Sequence, residues 1–158
     1  MGKLYLRKAE WKDIDLLFEW ANDSEVRSNS FNTDSIEYED HKLWFEKCML
    51  DKNIDIYVCN LDVDSVGQVR LNYNGESAVI SYSIDKKYRG RGLGERLIKL
   101  IEPIVKSTHP EVSTLIGYVK IDNSASQRIF ENNGYAKSIN DSKNGRLSYF
   151  KKIVQAVG

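Results

Sequence analysis

Residues 86–97, KKYRGRGLGERL, place three glycines and five cationic side chains in twelve positions. They follow AVISYSI, whose alternation reads as a strand, and lead into Leu93, Leu97, Ile98, Ile101 and Val105, which recur at helical spacing. Glycines let a backbone approach a ligand without a Cβ, and the first turn of a helix presents unpaired N–H groups. The positive end of the helix dipole adds to them, so a strand, a glycine turn and a helix N-terminus together make a phosphate site.

Two nucleotide readings fail on spacing. A loop of the NTPase type ends in Gly-Lys-Ser/Thr, whereas Gly94 is followed by Glu95 and Arg96. The dinucleotide fingerprint needs a third glycine where Glu95 stands, and it belongs to the first βα turn. What remains is R-x-x-G-x-G, the run Arg89, Gly90, Arg91, Gly92, Leu93 and Gly94. Lys86, Lys87 and Arg96 offer further charge for phosphates.

The elements that must position this loop read in order along the chain. KLYLRKA alternates as a strand, and EWKDIDLLFEWAND sets Trp11, Ile14, Leu17, Phe18 and Ala21 on one helical face. SEVRSNSFNTD is a polar loop with room for one helical turn. SIEYEDHKLWFEKCMLDKN repeats the helical period through Tyr38, His41, Trp44, Phe45 and Cys48. Three strands follow, IDIYVCN, SVGQVRLNY and SAVISYSI, the last two joined at the hairpin signal Asn74-Gly75. Pro103 predicts that the next helix kinks or ends near Ile101. STLIGYV is a buried strand, and NSASQRIFENNGY a short helix capped by Asn123 or Ser124 and closed by Gly134. YAKSIN and RLSYFKKIV are two last strands around the turn DSKNG. The order β-α-α-β-β-β-α-β-α-β-β predicts one mixed sheet with helices on both faces.

Lys+Arg and Asp+Glu balance at 23 each, so no global field recruits nucleic acid or a membrane surface, and any anion site is local. Neither a signal-like N-terminus nor a bilayer-spanning stretch is present in the sequence, which points to a cytoplasmic protein. Cys48 and Cys59 have no metal or redox spacing and read as reduced, buried thiols.

With the loop and element order in hand, the chain resembles the GNAT superfamily of acetyl-CoA-dependent N-acetyltransferases over nearly its whole length. The resemblance implies an α/β GNAT fold, a mixed, mostly antiparallel sheet of about seven strands with about four helices, as one acetyltransferase domain over residues 1–158. It also implies that Arg89 to Gly94 cradle the pyrophosphate of coenzyme A, and that Tyr82 to Ile84 face its pantetheine arm and thioester. The family's second signature is matched by Asn123, Ser126 and Gly134-Tyr135. The expected cosubstrate is acetyl-CoA, with no metal, and the expected assembly is a monomer or homodimer.

Acetyl transfer needs a polarised thioester carbonyl, a neutral amine and a proton for the leaving thiolate. The backbone N–H of Ile84 is the candidate oxyanion donor. Many family members carry a tyrosine as proton donor where this chain has Phe130, which has no proton to give. Tyr135, Tyr118 or Tyr82 could replace it, water could, or the protein could bind acyl-CoA without catalysis. Ser81, Ser83, Asp85, Glu76 and His41 are candidates for the base.

The first two helices and their loop shape the acceptor pocket in this superfamily. Trp20, Asn22, Val26 and Arg27, with Ile36, His41 and Trp44, are similar to enzymes that acetylate the 4-amino group of nucleotide-linked amino sugars for bacterial surface glycans. This implies substrate contacts by Trp20, Asn22, Arg27, His41 and Trp44, with Arg27 meeting a diphosphate and Trp20, Trp44 or Phe31 stacking. Related protein N-terminal acetyltransferases share parts of this pattern, and the acidic run Asp34, Glu37, Glu39 and Asp40 would suit a basic peptide.

Overall fold

The computed structural model describes residues 2–138 and 145–153. Strand β1 (Leu4–Lys8) is followed by a 3₁₀ turn (Trp11–Asp13) and three helices, α1 (Ile14–Ala21), α2 (Ser24–Ser28) and α3 (Tyr38–Leu50). A meander of β2 (Ile54–Leu61), β3 (Asp64–Asn74) and β4 (Ser77–Ile84) leads through a 3₁₀ turn (Lys86–Tyr88) into α4 (Leu93–Thr108). Then come β5 (Thr114–Lys120), α5 (Ser124–Asn132), β6 (Ala136–Lys137) and β7 (Arg146–Lys152).

The seven strands form one sheet in the order β1-β2-β3-β4-β5-β7-β6. Neighbours are antiparallel except β4 and β5, which run parallel. The α/β arrangement expected of the sequence is present, with five α-helices among the described residues in place of about four: the turn foreseen in the polar loop is the short helix α2, held by Asp23, whose carboxylate accepts from the amides of Glu25 and Val26.

Both faces of the sheet are covered. On one, α4 and α5 pack Leu97, Ile101, Val105 and Phe130 onto Val69, Leu71, Ile80, Leu115 and Val119. On the other, α1 and α3 bring Leu17, Trp20, Phe45 and Cys48 onto Ile56 and Val58 of β2. Their cover runs out over β3 and β4, where the same face turns polar with Gln68, Arg70, Asn72, Ser81 and Ser83. That polar strip is the floor of the site.

The expected break near Ile101 does not occur, because α4 passes Pro103 and continues to Thr108. A proline inside a helix costs about 3 kcal/mol. The turn beyond it buries Val105 completely and packs Ile104 against the core. Burying one such side chain returns about 1.5–3 kcal/mol, so tertiary contact outweighs the break. Of the predicted strand YAKSIN only Ala136–Lys137 pairs with β7, and Ile139, Asn140 and most of the DSKNG turn lie outside the described residues.

Candidate active site

Strands β4 and β5 pair only from Ser77–Ile80 against Thr114–Gly117, and then diverge. On its other side β4 stays paired with β3 up to Ile84, and the amide of Asp85 donates to the Val66 carbonyl at 2.7 Å. Antiparallel pairs alternate between bonded and non-bonded residues. Counting back from Asp85, the backbone groups of Ser83 and Ser81 point to β3, while those of Tyr82 and Ile84 point into the wedge that β5 has left. The Ile84 carbonyl is taken by Arg89 Nε at 3.1 Å. The Ile84 N–H and both backbone groups of Tyr82 face the gap and suit a ligand that adds itself there as a strand would.

The wedge opens into a cavity of about 1000 Å³ that runs from the glycine loop to the α1–α3 side. At its entrance Gly92 takes φ +75° as the residue preceding α4, a left-handed conformation that excludes most side chains. The first intrahelical bond of α4 runs from Arg96 N to Gly92 O, and no side chain caps the helix. The amides of Leu93, Gly94 and Glu95 are therefore left for an anion. Arg91 is exposed beside them, with its guanidinium 5.3 Å from the Tyr88 ring centre.

Arg89 does otherwise than foreseen. Its guanidinium meets Asp23 at 2.8 Å and Glu25 at 2.8 Å, so its charge is neutralised by α2 and its neighbour rather than offered to a phosphate. It ties the glycine loop to the acceptor-side helices. Arg128, exposed on α5 and lining the cavity, is a cation the sequence reading missed. Its signal was its place five residues after Asn123, on the helix facing the loop.

Across the wedge, Asn123 Oδ1 accepts from the Ser126 amide at 3.2 Å and so caps α5. Ser126 Oγ and Tyr82 Oη share a hydrogen bond of 2.8 Å, joining α5 to β4 within the cavity wall. Burial raises the Tyr82 pKa, which keeps its proton in place at neutral pH. Phe130 is 1% exposed, and its ring tip sits where Gly117 lacks a side chain: a Cβ there would lie 2.4 Å from Phe130 Cζ. Tyr135 is displaced from the cavity. It packs edge-on against Phe130 at 5.0 Å, in a small hollow with Glu102 and Lys151 on the far side of α5, which removes it as a proton donor.

On the acceptor side the tryptophans part ways. Trp20 is buried and donates its indole N–H to Asp85 at 2.8 Å, so it anchors α1 rather than stacking on a substrate. Asp85 also caps the 3₁₀ turn through Lys87 N, which leaves it no role as a base. Glu76 lies at the far end of β4, in the hairpin. Trp44 is 38% exposed and lines the cavity with Phe31, which is 54% exposed. Asn22 clamps the backbone of Ile36 at 2.7 Å through both N–H and C=O, and points away from the cavity.

Arg27 is half-buried. Its donors go to the carbonyls of Ala21, Asn32 and Asp34 and to Ser30 Oγ, at 2.7–3.2 Å. It shapes the pocket wall, and four of its five N–H bonds are spent within the loop rather than kept for a diphosphate. His41 is 2% exposed, and its Nε2–H donates to the Ile14 carbonyl at 2.9 Å. Burial lowers its pKa, so it stays neutral within the α1–α3 contact. Ser83 lies at the cavity floor, where its hydroxyl accepts from Gln68 Nε2 at 3.0 Å.

Residues 3–136 match the Acetyltransferase (GNAT) domain family, and the chain belongs to it. It is an acetyl-CoA-dependent N-acetyltransferase acting on amines. A search of curated protein sequences gave no significant match. Among solved structures the chain is similar to a spermidine N-acetyltransferase from Vibrio cholerae in complex with CoA and spermine, with TM-score 0.83, 18% identity, and 94% and 95% of the two chains covered. An aminoglycoside acetyltransferase in complex with coenzyme A has TM-score 0.80 at 16% identity over 95% of each chain. An acetyltransferase from Salmonella typhimurium that modifies the N-terminal serine of ribosomal protein L7/L12 has TM-score 0.81 at 14% identity over 98% and 97%.

The cavity fits acetyl-CoA on its own terms. A left-handed glycine, three uncapped amides and adjacent cations suit a pyrophosphate, and the unpaired edge of β4 suits the pantetheine amides.

Proposed function

We propose that this acetyltransferase transfers the acetyl group of acetyl-CoA to the 4-amino group of a nucleotide-linked amino sugar, in the cytoplasm and for surface-glycan biosynthesis. The observation that carries the reading is the cavity itself: it joins the glycine loop and the β4–β5 wedge to a pocket with two exposed aromatic faces, Trp44 and Phe31. Such faces suit a nucleobase or a sugar ring.

The amides of Leu93, Gly94 and Glu95 hold the pyrophosphate, helped by Arg91 and Arg128. The Ile84 N–H donates to the thioester oxygen as negative charge gathers there. Ser83 Oγ, with one lone pair taken by Gln68, accepts an N–H of the incoming amine and turns its lone pair toward the carbonyl. The neutral amine attacks directly, the C–S bond breaks, and the thiolate takes a proton from Tyr82; the proton released by the amine nitrogen passes to water in the cavity, and Tyr82 is reprotonated from water through Ser126. Tyr82 thus takes over the task Phe130 lacks the group for.

The test follows thiol release from acetyl-CoA with UDP-linked 4-amino sugars, short peptides with free N-termini, and spermidine. Turnover is expected on the amino sugars, with kcat falling about 10²-fold in Tyr82→Phe at an unchanged KM for acetyl-CoA. Turnover confined to peptides or spermidine overturns the acceptor. No thiol release while CoA binds turns the protein into an acyl-CoA-binding module.

A further inference from the structure

Arg70 lies on the polar strip of β3, opposite Ser81 of β4, and lines the acceptor side of the cavity. Its surroundings differ from those of three other half-buried arginines, Arg7, Arg89 and Arg27. Arg7 is paired with Asp13 at 2.8 Å, and Arg89 with Asp23 and Glu25. Arg27 has no carboxylate but spends its donors on four oxygen acceptors. Arg70 gives Nε–H to Asn72 Oδ1 at 3.0 Å and a long bond of 3.4 Å from NH2 to Ser81 Oγ. Of five guanidinium N–H bonds three are left, and no described carboxylate lies within ion-pair reach.

The charge is also held in place. Asn72 fixes Nε, and the Trp44 ring lies 5.2 Å from the guanidinium carbon, so the terminal N–H groups have a set direction. Burial of the guanidinium pulls its pKa down, the mark of a cation without enough solvation. An uncompensated cation in a partly desolvated wall is costly unless an anion arrives with the ligand. The carboxylates that line the cavity do not supply one: Glu25 is engaged by Arg89, and Asp40 and Glu95 form no pair with Arg70.

We infer that Arg70 is the anion subsite of the acceptor pocket, and that the acceptor is an amine carrying a phosphate or carboxylate. This rests on the acetyl-transfer reading only for which side of the cavity the amine enters. From Ser81 to Ile84 is three residues of strand, roughly 10 Å, which sets the reach between the acid group and the thioester. The terminal N–H groups of Arg70 take two oxygens of the acid group side by side, a geometry a lysine cannot copy. Polyamines, which carry only positive charge, are disfavoured at the same wall.

The test is calorimetric binding to protein saturated with CoA, so that the glycine loop is already filled. The probes are UDP for phosphate, an N-terminal Asp-Ala peptide for carboxylate, and spermidine as the cation. Wild type is expected to bind UDP or the peptide, and whichever binds names the source of the acid group. Arg70→Met is expected to weaken it at least tenfold and Arg70→Lys to fall between, with unchanged melting temperatures. Should Arg70→Met fail to fold, Asn72→Ala, which frees Nε but keeps the charge, is expected to weaken the same probe severalfold. Failure of wild type to bind either anion overturns the inference, as does equal binding by Arg70→Met or tighter binding of spermidine. Thiol release is measured in parallel: its absence with UDP still bound through Arg70 overturns acetyl transfer alone, and turnover on spermidine unaffected by Arg70→Met overturns the anion subsite alone.

Discussion

Restoring the tyrosine that many relatives carry should damage this protein. In Phe130→Tyr the new hydroxyl attaches at Cζ, the atom that already occupies the place of a Gly117 side chain, 2.4 Å from where a Cβ would stand. The ring is 1% exposed, stacked on Tyr149 at 5.8 Å and held edge-on by Tyr82 and Tyr135. Overpacking of this kind costs about 1–3 kcal/mol, and a buried hydroxyl without a partner about 1–3 more. The sum, about 2–6 kcal/mol, is a large share of a domain's total stability and lowers Tm by on the order of 10 °C. Urea unfolding measures the loss, and thiol release from acetyl-CoA at a temperature where both forms are folded measures the chemistry. Under the proposed mechanism activity should not rise, because Tyr82 and Ser126 would already supply the proton. A Phe130→Tyr protein that is as stable as wild type and turns over faster would refute both the packing argument and the assignment of Tyr82. The reciprocal change makes the same point: Gly117→Ala should destabilise by about 1–3 kcal/mol and be rescued by Phe130→Leu, which withdraws the ring tip.

Burial raises the Cys59 thiol pKa to about 11 from an ordinary 9.0. The unfolded chain therefore loses that proton first, so this contribution to stability is whole below pH 9 and is lost as pH rises toward 11. Two units correspond to about 2–3 kcal/mol, and Cys59→Ala should flatten the decline between pH 9 and 11 by about that much in urea melts taken across the range. Arg27→Ala should raise the KM for the acceptor and lower Tm together, with acetyl-CoA affinity unchanged, because it removes the four bonds that shape residues 21–34. A rise in KM with no loss of Tm would instead mark Arg27 as a direct ligand.

The order of elements, the hairpin at Asn74-Gly75, the capped α5 and the glycine loop were all legible in the chain, because each rests on local chemistry: alternation, turn residues, a side-chain cap and a positive φ. The anion site was legible for the same reason, since a helix N-terminus behind a glycine turn is written in a few consecutive residues, and the family resemblance those residues carry implied the cosubstrate. The roles of single side chains were not. Trp20 and Trp44 share a type and a helical setting, yet one is an anchor for Asp85 and the other a wall of the cavity. Arg27, Arg70 and Arg89 are equally charged on paper, and only the positions of distant acceptors separate them: carbonyls for Arg27, carboxylates from α2 and Asp23 for Arg89, and three N–H bonds left over for Arg70. Helix α4 ran through Pro103 because its far side had a core to meet. Local sequence determined the elements and the anion site; the partner of each polar group, and so its task, was decided by which strands and helices the tertiary fold brought within hydrogen-bond reach.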